Sequence, residues 1–148
     1  MASHDLTEAT RARVLSLYAD YVRGNMDAVM AGIAEDIAWH SLGEHDAPWS
    51  GHWTGRQGVA DYFAALGRVC AVATFEIERV IVDGDWASVL ATVRIRFHAD
   101  GREATYAKVD VLRLADGVVA EFREFYDTAL MLRDLGQVNT ASSDRATP

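Results

Sequence analysis

The sequence predicts an α+β domain in which three N-terminal helices pack on one face of a curved, cone-shaped antiparallel sheet. Helix-period apolar patterns occupy the first half of the chain, and alternating apolar segments separated by Asp-Gly pairs occupy the second. The chain has 148 residues, 50% of them hydrophobic, which suffices for one core and leaves little room for another. We therefore predict a single domain over residues 1–136 and a flexible C-terminal tail over 137–148.

Three helices are predicted in the first half from the spacing of their apolar residues. Asp5 with Glu8, and Thr54 with Gln57, have the spacing of capping boxes at the start of the first and third helices. The predicted helices cover residues 6–23, 26–34 and 54–67.

A short strand over 37–41 and an irregular segment over 42–54 separate the second and third helices. The second half is predicted to form an antiparallel meander, because Asp-Gly between alternating segments is a strong hairpin signal. A helical turn over 128–135 closes the domain. The four strands of the meander cover residues 73–82, 86–98, 103–114 and 118–127.

The charge balance and the cysteine content exclude several kinds of partner. A net charge of −8 disfavours nucleic acid and anionic membranes. No apolar segment approaches the roughly 20 residues of a membrane span, and the N-terminus lacks the pattern of a secretory signal. The single cysteine, Cys70, cannot form an internal disulfide, so we predict a cytoplasmic protein.

Asp110 is anomalous because it interrupts the apolar segment VDVLRL in a strand that should be central. Strand alternation places it with Lys108 and Leu112 on one face. A buried carboxylate is costly unless it is paired, hydrogen-bonded or neutralised. Asp110 is therefore either half of a structural ion pair with Lys108 or an acid that faces a cavity with a raised pKa. A cone of sheet and helices supplies such a cavity.

Two further residues are candidates for acid–base chemistry. Glu124 is either a solvated charge near the end of the last strand or a second carboxylate in the cavity. His40 titrates near neutral pH, which suits a general base, although a histidine beside a tryptophan is also commonly a packed core residue. We predict His40 as the base, Asp110 as the acid or oxyanion donor, and Glu124 as the alternative base.

Histidines and acids in the irregular segment raise the question of a metal. His45 and His52 lie near Glu44 and Asp46 in the sequence, and His40 precedes them. Their spacing matches no standard ligand motif, and a loop orients ligands poorly. We therefore predict no metal site.

Aromatic and apolar side chains are expected to line the cavity. Trp49 and Trp53 either cap a flat organic ligand or plug the core. The predicted substrate-binding residues are Tyr18, Trp39, Trp49, Trp53, Tyr62, Phe63, Phe97, Leu112, Phe122 and Tyr126.

Three segments together resemble the ketosteroid isomerase-like, or nuclear transport factor 2-like, superfamily, and within it the SnoaL-like polyketide cyclases. They are YADYVRGNMDAVMAGIAEDIAWH, SGHWTGRQGVADYFAAL and VLRLADGVVAEFREFYDT. The resemblance covers residues 6–130. It implies a cone-shaped pocket, no metal or organic cofactor, and usually a homodimer formed through the sheet, but it fixes the fold better than the reaction.

The resemblance to the isomerases extends to single positions. The isomerases have an aspartic acid in the strand second from the end, and this position falls at Asp110. An apolar site keeps that acid protonated, so that it donates a hydrogen bond to a developing oxyanion. Their general base falls at Ser41, where no carboxylate stands. Their oxyanion-hole tyrosine falls at about Leu17, next to Tyr18.

The resemblance to limonene epoxide hydrolases is less complete. The aspartate of their last strand falls at Glu124, but their Arg-x-Asp has no acidic counterpart in LATVRIRF. Polyketide cyclases use one acid–base residue for an aldol closure, and His40, Asp110 or Glu124 could serve.

We predict a small cofactor-independent acid–base enzyme that acts on a hydrophobic carbonyl compound by isomerisation, cyclisation or dehydration. The alternatives are a non-catalytic binding module of the same fold and an epoxide hydrolase. A pure assembly protein would instead have its cavity plugged by tryptophan. A homodimer would bury the apolar residues that alternation turns away from the pocket. These are Val109, Val111, Val119 and Phe125.

Overall fold

The computed structural model describes residues 3–43 and 46–146, with side chains as far as residue 137. In these residues, four helices and six strands form the α+β fold expected from the sequence. The elements are α1 (Ser3–Val22), α2 (Met26–Ala31), β1 (Ile33–Ser41), β2 (Gly51–Thr54), α3 (Gly55–Val69), β3 (Cys70–Asp83), β4 (Trp86–Phe97), β5 (Glu103–Ala115), β6 (Val118–Tyr126) and α4 (Thr128–Ala146).

The six strands form one curved, open sheet in the order β2-β1-β6-β5-β4-β3. Strands β3 to β6 make the predicted antiparallel meander, and β1 joins it by pairing parallel to β6. Register shifts interrupt the β3–β4, β5–β6 and β1–β6 pairs, and such irregularities bend a sheet. The helices lie on one side, so the fold class predicted from the sequence is confirmed.

The turn between β5 and β6 follows directly from its Asp-Gly pair. Asp116 has φ 52° and Gly117 has φ 79°, as a two-residue type I′ hairpin turn requires. The turn and a register shift between Arg113 and Leu114 together place Asp110 of β5 directly opposite Glu124 of β6.

An irregularity in β6 corrects one sequence expectation. Arg113 pairs with Glu121 and Leu114 with Val119, which leaves Ala120 without a partner in the register. The side chains of β6 before Ala120 therefore face the opposite sides of the sheet from those that simple alternation predicts. Val119 is buried inside the cone, and does not share the outer face with exposed Phe125 as the sequence predicts.

Other local details also differ from the sequence patterns. The side chain of Thr54 makes no capping bond, and Gln57 donates to Asp61 instead. Helix α1 begins at Ser3, so Asp5 lies within its first turn. Strand β2 forms inside the segment expected to be irregular.

Helix α4 covers residues 128–146, whereas the sequence predicts a turn over 128–135 and a tail from 137. Its inner side is anchored by a buried acid, because Tyr106 Oη donates a 2.5 Å hydrogen bond to Asp134 Oδ2. Met131 is buried on the same helix.

The inner face of β4 forms much of the core, as alternation predicts. Ala87, Val89, Ala91, Ile95 and Phe97 are buried there. Among the described residues, no helix combines the length and apolar character needed to cross a bilayer.

Candidate active site

The cone encloses two adjacent cavities, each offering about 60 Å³ of space, enough for a few water-sized groups. The first chamber lies between α1, α2 and the inner faces of β1, β5 and β6. It is lined by Leu17, Tyr18, Tyr21, Val29, Ile33, Trp39, Tyr62, Phe63, Phe75, Lys108, Asp110, Leu112, Val119, Phe122 and Glu124. The second chamber is lined by Tyr21, Trp49, Tyr62, Leu66, Val72, Phe75, Val93, Ile95, Tyr106, Lys108, Glu124, Tyr126 and Met131.

Two carboxylates and one ammonium group meet inside the cone. The β5–β6 register places Asp110 opposite Glu124, and Lys108 lies two residues before Asp110 on the same face. Lys108 Nζ is 2.8 Å from Glu124 Oε2 and 3.0 Å from Asp110 Oδ1. Burial opposes the charged form of Lys108, but the two carboxylates outweigh it and raise the pKa of Lys108.

Glu124 is held as a carboxylate by three donors. Its Oε1 accepts hydrogen bonds from Ser41 Oγ at 2.5 Å and Tyr62 Oη at 2.8 Å, and its Oε2 accepts one from Lys108. Burial alone would raise the pKa of Glu124. The charge of Lys108 and the three hydrogen bonds more than offset burial and lower it.

Asp110 has the opposite electrostatic balance. Burial raises the pKa of Asp110, the nearby Glu124 raises it further, and Lys108 and Tyr18 offset this only in part. Tyr18 Oη donates to Oδ2 at 2.6 Å. Oδ1 is buried and makes no hydrogen bond, although Lys108 Nζ is at ion-pair distance. In its protonated form, Asp110 can also donate a hydrogen bond from Oδ1 to a bound molecule.

The two tyrosines that contact these carboxylates stay neutral donors. Burial raises the pKa of both Tyr18 and Tyr62, and the adjacent carboxylates add to the rise. Each phenol thus keeps its proton and fixes one carboxylate in position.

His40 does not line either chamber, which corrects the expectation that it faces the cavity as the base. It lies on the opposite face of β1, where its ring stacks on that of His52 at 3.8 Å. Both histidines border a surface groove with Glu121 and Arg123. The reason is strand alternation: Trp39 and Ser41 face inward, so His40 between them faces outward.

The predicted substrate-binding residues divide into three groups. Tyr18, Trp39, Tyr62, Phe63, Leu112 and Phe122 line the first chamber. Trp49 and Tyr126 line the second, as does Tyr62, and Trp49 Nε1 donates to Tyr126 Oη at 3.2 Å. Phe97 is fully buried in the core, and Trp53 borders the outer groove, so neither reaches a chamber.

Sequence reasoning did not assign Lys108, Ser41, Tyr21 or Phe75 to the site. Lys108 shares a strand face with Asp110, which is the signal that could have placed it there. Tyr21 follows Tyr18 by three residues on α1, so helical spacing points it to the same side. Phe75 lies between the register shifts of β3, which simple alternation cannot anticipate.

The described residues contain no group of three or more histidines, cysteines or acids arranged to hold a metal ion. Glu44 and His45, which the sequence places near the other histidines, lie outside the described residues.

Solved structures with the nuclear transport factor 2-like fold match this arrangement of sheet and helices. One is an NTF2-like protein of unknown function from Burkholderia pseudomallei K96243, 26% identical, with a TM-score of 0.76 over 84% of this chain and 95% of that chain. TerC, co-crystallised with polyporic acid, is 20% identical, with a TM-score of 0.74 over 84% of this chain and 96% of that chain.

A protein provisionally named a polyketide cyclase from Xanthomonas campestris pv. campestris is 16% identical, with a TM-score of 0.71 over 86% of this chain and 97% of that chain. The sequence model of the SnoaL-like domain matches residues 14–122. The chain therefore belongs to the SnoaL-like family. A search of curated proteins found no match.

Proposed function

We propose that this protein is a cofactor-independent acid–base enzyme acting on a hydrophobic carbonyl compound, by isomerisation, cyclisation or dehydration. One observation carries the proposal: two buried carboxylates face each other in a cavity, and their pKa values are displaced in opposite directions. Such a pair divides naturally into an acid and a base. SnoaL-like membership supports a small NTF2-like enzyme or binding module.

Glu124 is the proposed base, because it is ionised and lies beside Asp110. By resemblance, the general base of the isomerases falls at Ser41. Here the Ser41 hydroxyl donates to Glu124, so a carboxylate reaches the same place from β6 instead of β1. His40 loses the role because it faces the other side of the sheet.

The chemistry balances with these groups alone. Glu124 takes a proton from the carbon next to the carbonyl, and the electron pair moves to the carbonyl oxygen. Protonated Asp110 donates a hydrogen bond to that oxygen from Oδ1, while Tyr18 holds Oδ2. The proton then returns from Glu124 to the same carbon or to a conjugated one, which restores the carboxylate.

The test needs no knowledge of the natural substrate. A panel of neutral ketones in D₂O is followed by NMR for deuterium incorporation next to the carbonyl. We expect the protein to accelerate exchange, Glu124→Gln to reduce the rate by about 10²–10⁴-fold, and His40→Ala to change it by less than about twofold, because His40 lies outside the cavity. Equal rates for wild type and a folded Glu124→Gln variant would contradict the proposal.

A non-catalytic binding module is the second candidate, favoured by one specific observation. Glu124 accepts three hydrogen bonds, which stabilise the carboxylate and weaken it as a base. A module of this kind would bind ketones with no acceleration of exchange. The same experiment therefore separates the two functions.

Epoxide hydrolysis has less support from the cavity. Arg94 and Arg96 of β4 both lie at ion-pair distance from Glu103, with about half of each side chain exposed. Lys108 is the only cation among the described residues that line the chambers, so no arginine is placed there to hold a water and an epoxide oxygen.

We also propose a homodimer through the outer face of the sheet, in a cytoplasmic protein. Val109 and Val111 are only partly buried, and Phe125 is 40% exposed. A partner subunit would remove this apolar surface from water. Sedimentation at micromolar concentration should show a dimer that Phe125→Glu weakens; a monomeric wild type would contradict it.

A further inference from the structure

The two chambers share one set of side chains at their junction. This junction consists of Tyr21, Tyr62, Phe75, Lys108 and Glu124. Tyr21 and Phe75 are only partly buried, and their rings meet edge to face at 5.6 Å. A molecule that contacts the charged groups from one chamber therefore lies next to the other.

Polar groups are concentrated at and beside the junction, and the walls beyond it are apolar. Leu17, Val29 and Ile33 line the far part of the first chamber. Leu66, Val72, Val93, Ile95 and Met131 line the second. Within the second chamber beyond the junction, Trp49 and Tyr126 bond to each other, and Tyr106 bonds to Asp134.

Two residues that line the first chamber each have a buried polar atom that makes no hydrogen bond. The atoms are Asp110 Oδ1 and Trp39 Nε1. Buried polar atoms of this kind normally have a partner. A ligand carbonyl oxygen beside Asp110 would accept a hydrogen bond from Oδ1 of the protonated carboxyl group that the proposed function requires. That position adjoins Lys108 and Glu124, and so lies close to the boundary between the chambers.

The charges at the junction favour a ligand without a charge. Lys108 is paired with Glu124, and an anion placed here would face that carboxylate in a site from which water is largely excluded. A carbonyl oxygen accepts a hydrogen bond without bringing a charge into the site.

We propose that the ligand is a neutral ketone with an apolar arm on each side of its carbonyl group, one arm in each chamber. This rests on the proposed function only in placing the carbonyl at Asp110. Each chamber holds about 60 Å³, less than the roughly 150 Å³ cavity that admits benzene. The arms are therefore short aliphatic chains.

Isomeric ketones provide a matched test. Heptan-4-one and heptan-2-one have the same atoms, but only the first carries its carbonyl between two equal arms. We expect NMR titration to give a Kd for heptan-4-one at least about fivefold lower than for heptan-2-one, since misplacing even one or two methylenes costs that much. Heptanoate, which is anionic, should bind more weakly than either ketone.

A pair of variants on β3 tests whether the preference for heptan-4-one depends on the second chamber. Val72 lines that chamber and is partly exposed, so Val72→Trp fills it with little risk to folding. Ile81 lies on the same strand, is 53% exposed and lines neither chamber, so Ile81→Trp is the control. Val72→Trp should abolish the preference for heptan-4-one, and Ile81→Trp should retain it.

Equal affinity for the two ketones, no binding of either, tighter binding of heptanoate, or a preference that survives in Val72→Trp would each overturn the inference. The readout is binding, so it is distinguishable from the proposed catalysis. Failure of Glu124-dependent deuterium exchange with the preference intact would overturn catalysis alone.

Discussion

The inner and outer faces of β5 and β6 carry similar ion pairs in different surroundings. On the inner face, Lys108 Nζ is 2.8 Å from Glu124, and both side chains are almost fully buried. On the outer face, Arg113 Nε is 3.0 Å from Glu121, and each side chain is 30% exposed. The distances are nearly equal, so the difference between the pairs lies in their access to water.

Access to water decides what each pair can do. The outer pair is screened by solvent, and pairs of this kind contribute little to stability. The inner cluster carries a large desolvation penalty that only mutual attraction and hydrogen bonds offset. The pKa values of its groups are therefore shifted from their ordinary values, and groups with shifted pKa values in a cavity are suited to acid–base chemistry.

The largest effect should come from removing the inner cation. Lys108→Met leaves two buried carboxylates without their counter-charge, and we expect a loss of about 3–5 kcal/mol in the free energy of unfolding. Arg113→Met on the outer face should cost less than about 1 kcal/mol. Urea denaturation measures the free energy of unfolding of both variants. Similar losses in the two would contradict the difference proposed between the inner and outer pairs.

A smaller effect should appear as opposite pH dependences of two inner-face variants. Asp110 has a raised pKa in the folded state, so its contribution to stability is complete below its ordinary value of 3.8 and is lost as pH rises through the folded pKa. Glu124 has a lowered pKa, so its contribution is present above 4.5 and is lost as pH falls through the folded pKa.

Asp110→Asn should therefore gain stability relative to wild type as pH rises, and Glu124→Gln should lose it. Each unit of pKa displacement corresponds to about 1.4 kcal/mol. Urea denaturation from acidic pH, below 3.8, to neutral pH checks both slopes. Two slopes of the same sign would show that the carboxylates share one environment.

Local patterns in the sequence predict most of the fold. The Asp-Gly pairs place the meander, and the Asp116–Gly117 turn forms as expected. The parallel pairing of β1 with β6 and the short β2 are tertiary features that depend on distant residues. The reversal at Val119 comes from an irregularity that alternation alone does not contain.

The sequence predicts a site residue only where that residue type is unusual within its own strand. Asp110 interrupts an apolar segment and does line the cavity, so its burial could be anticipated. His40 has suitable chemistry for a base, but the inward Trp39 and Ser41 turn it outward. The role of Lys108 depends on two carboxylates that come together through strand register, which residue type alone cannot reveal.

The most direct test of the central claim is ¹³C NMR titration of the side-chain carboxyl carbons of Asp110 and Glu124 in the folded protein. The account predicts that the pKa of Asp110 lies above 3.8 and that the pKa of Glu124 lies below 4.5. Asp110→Asn and Glu124→Gln assign the two signals. A midpoint for Asp110 below that of Glu124 would contradict the division into acid and base.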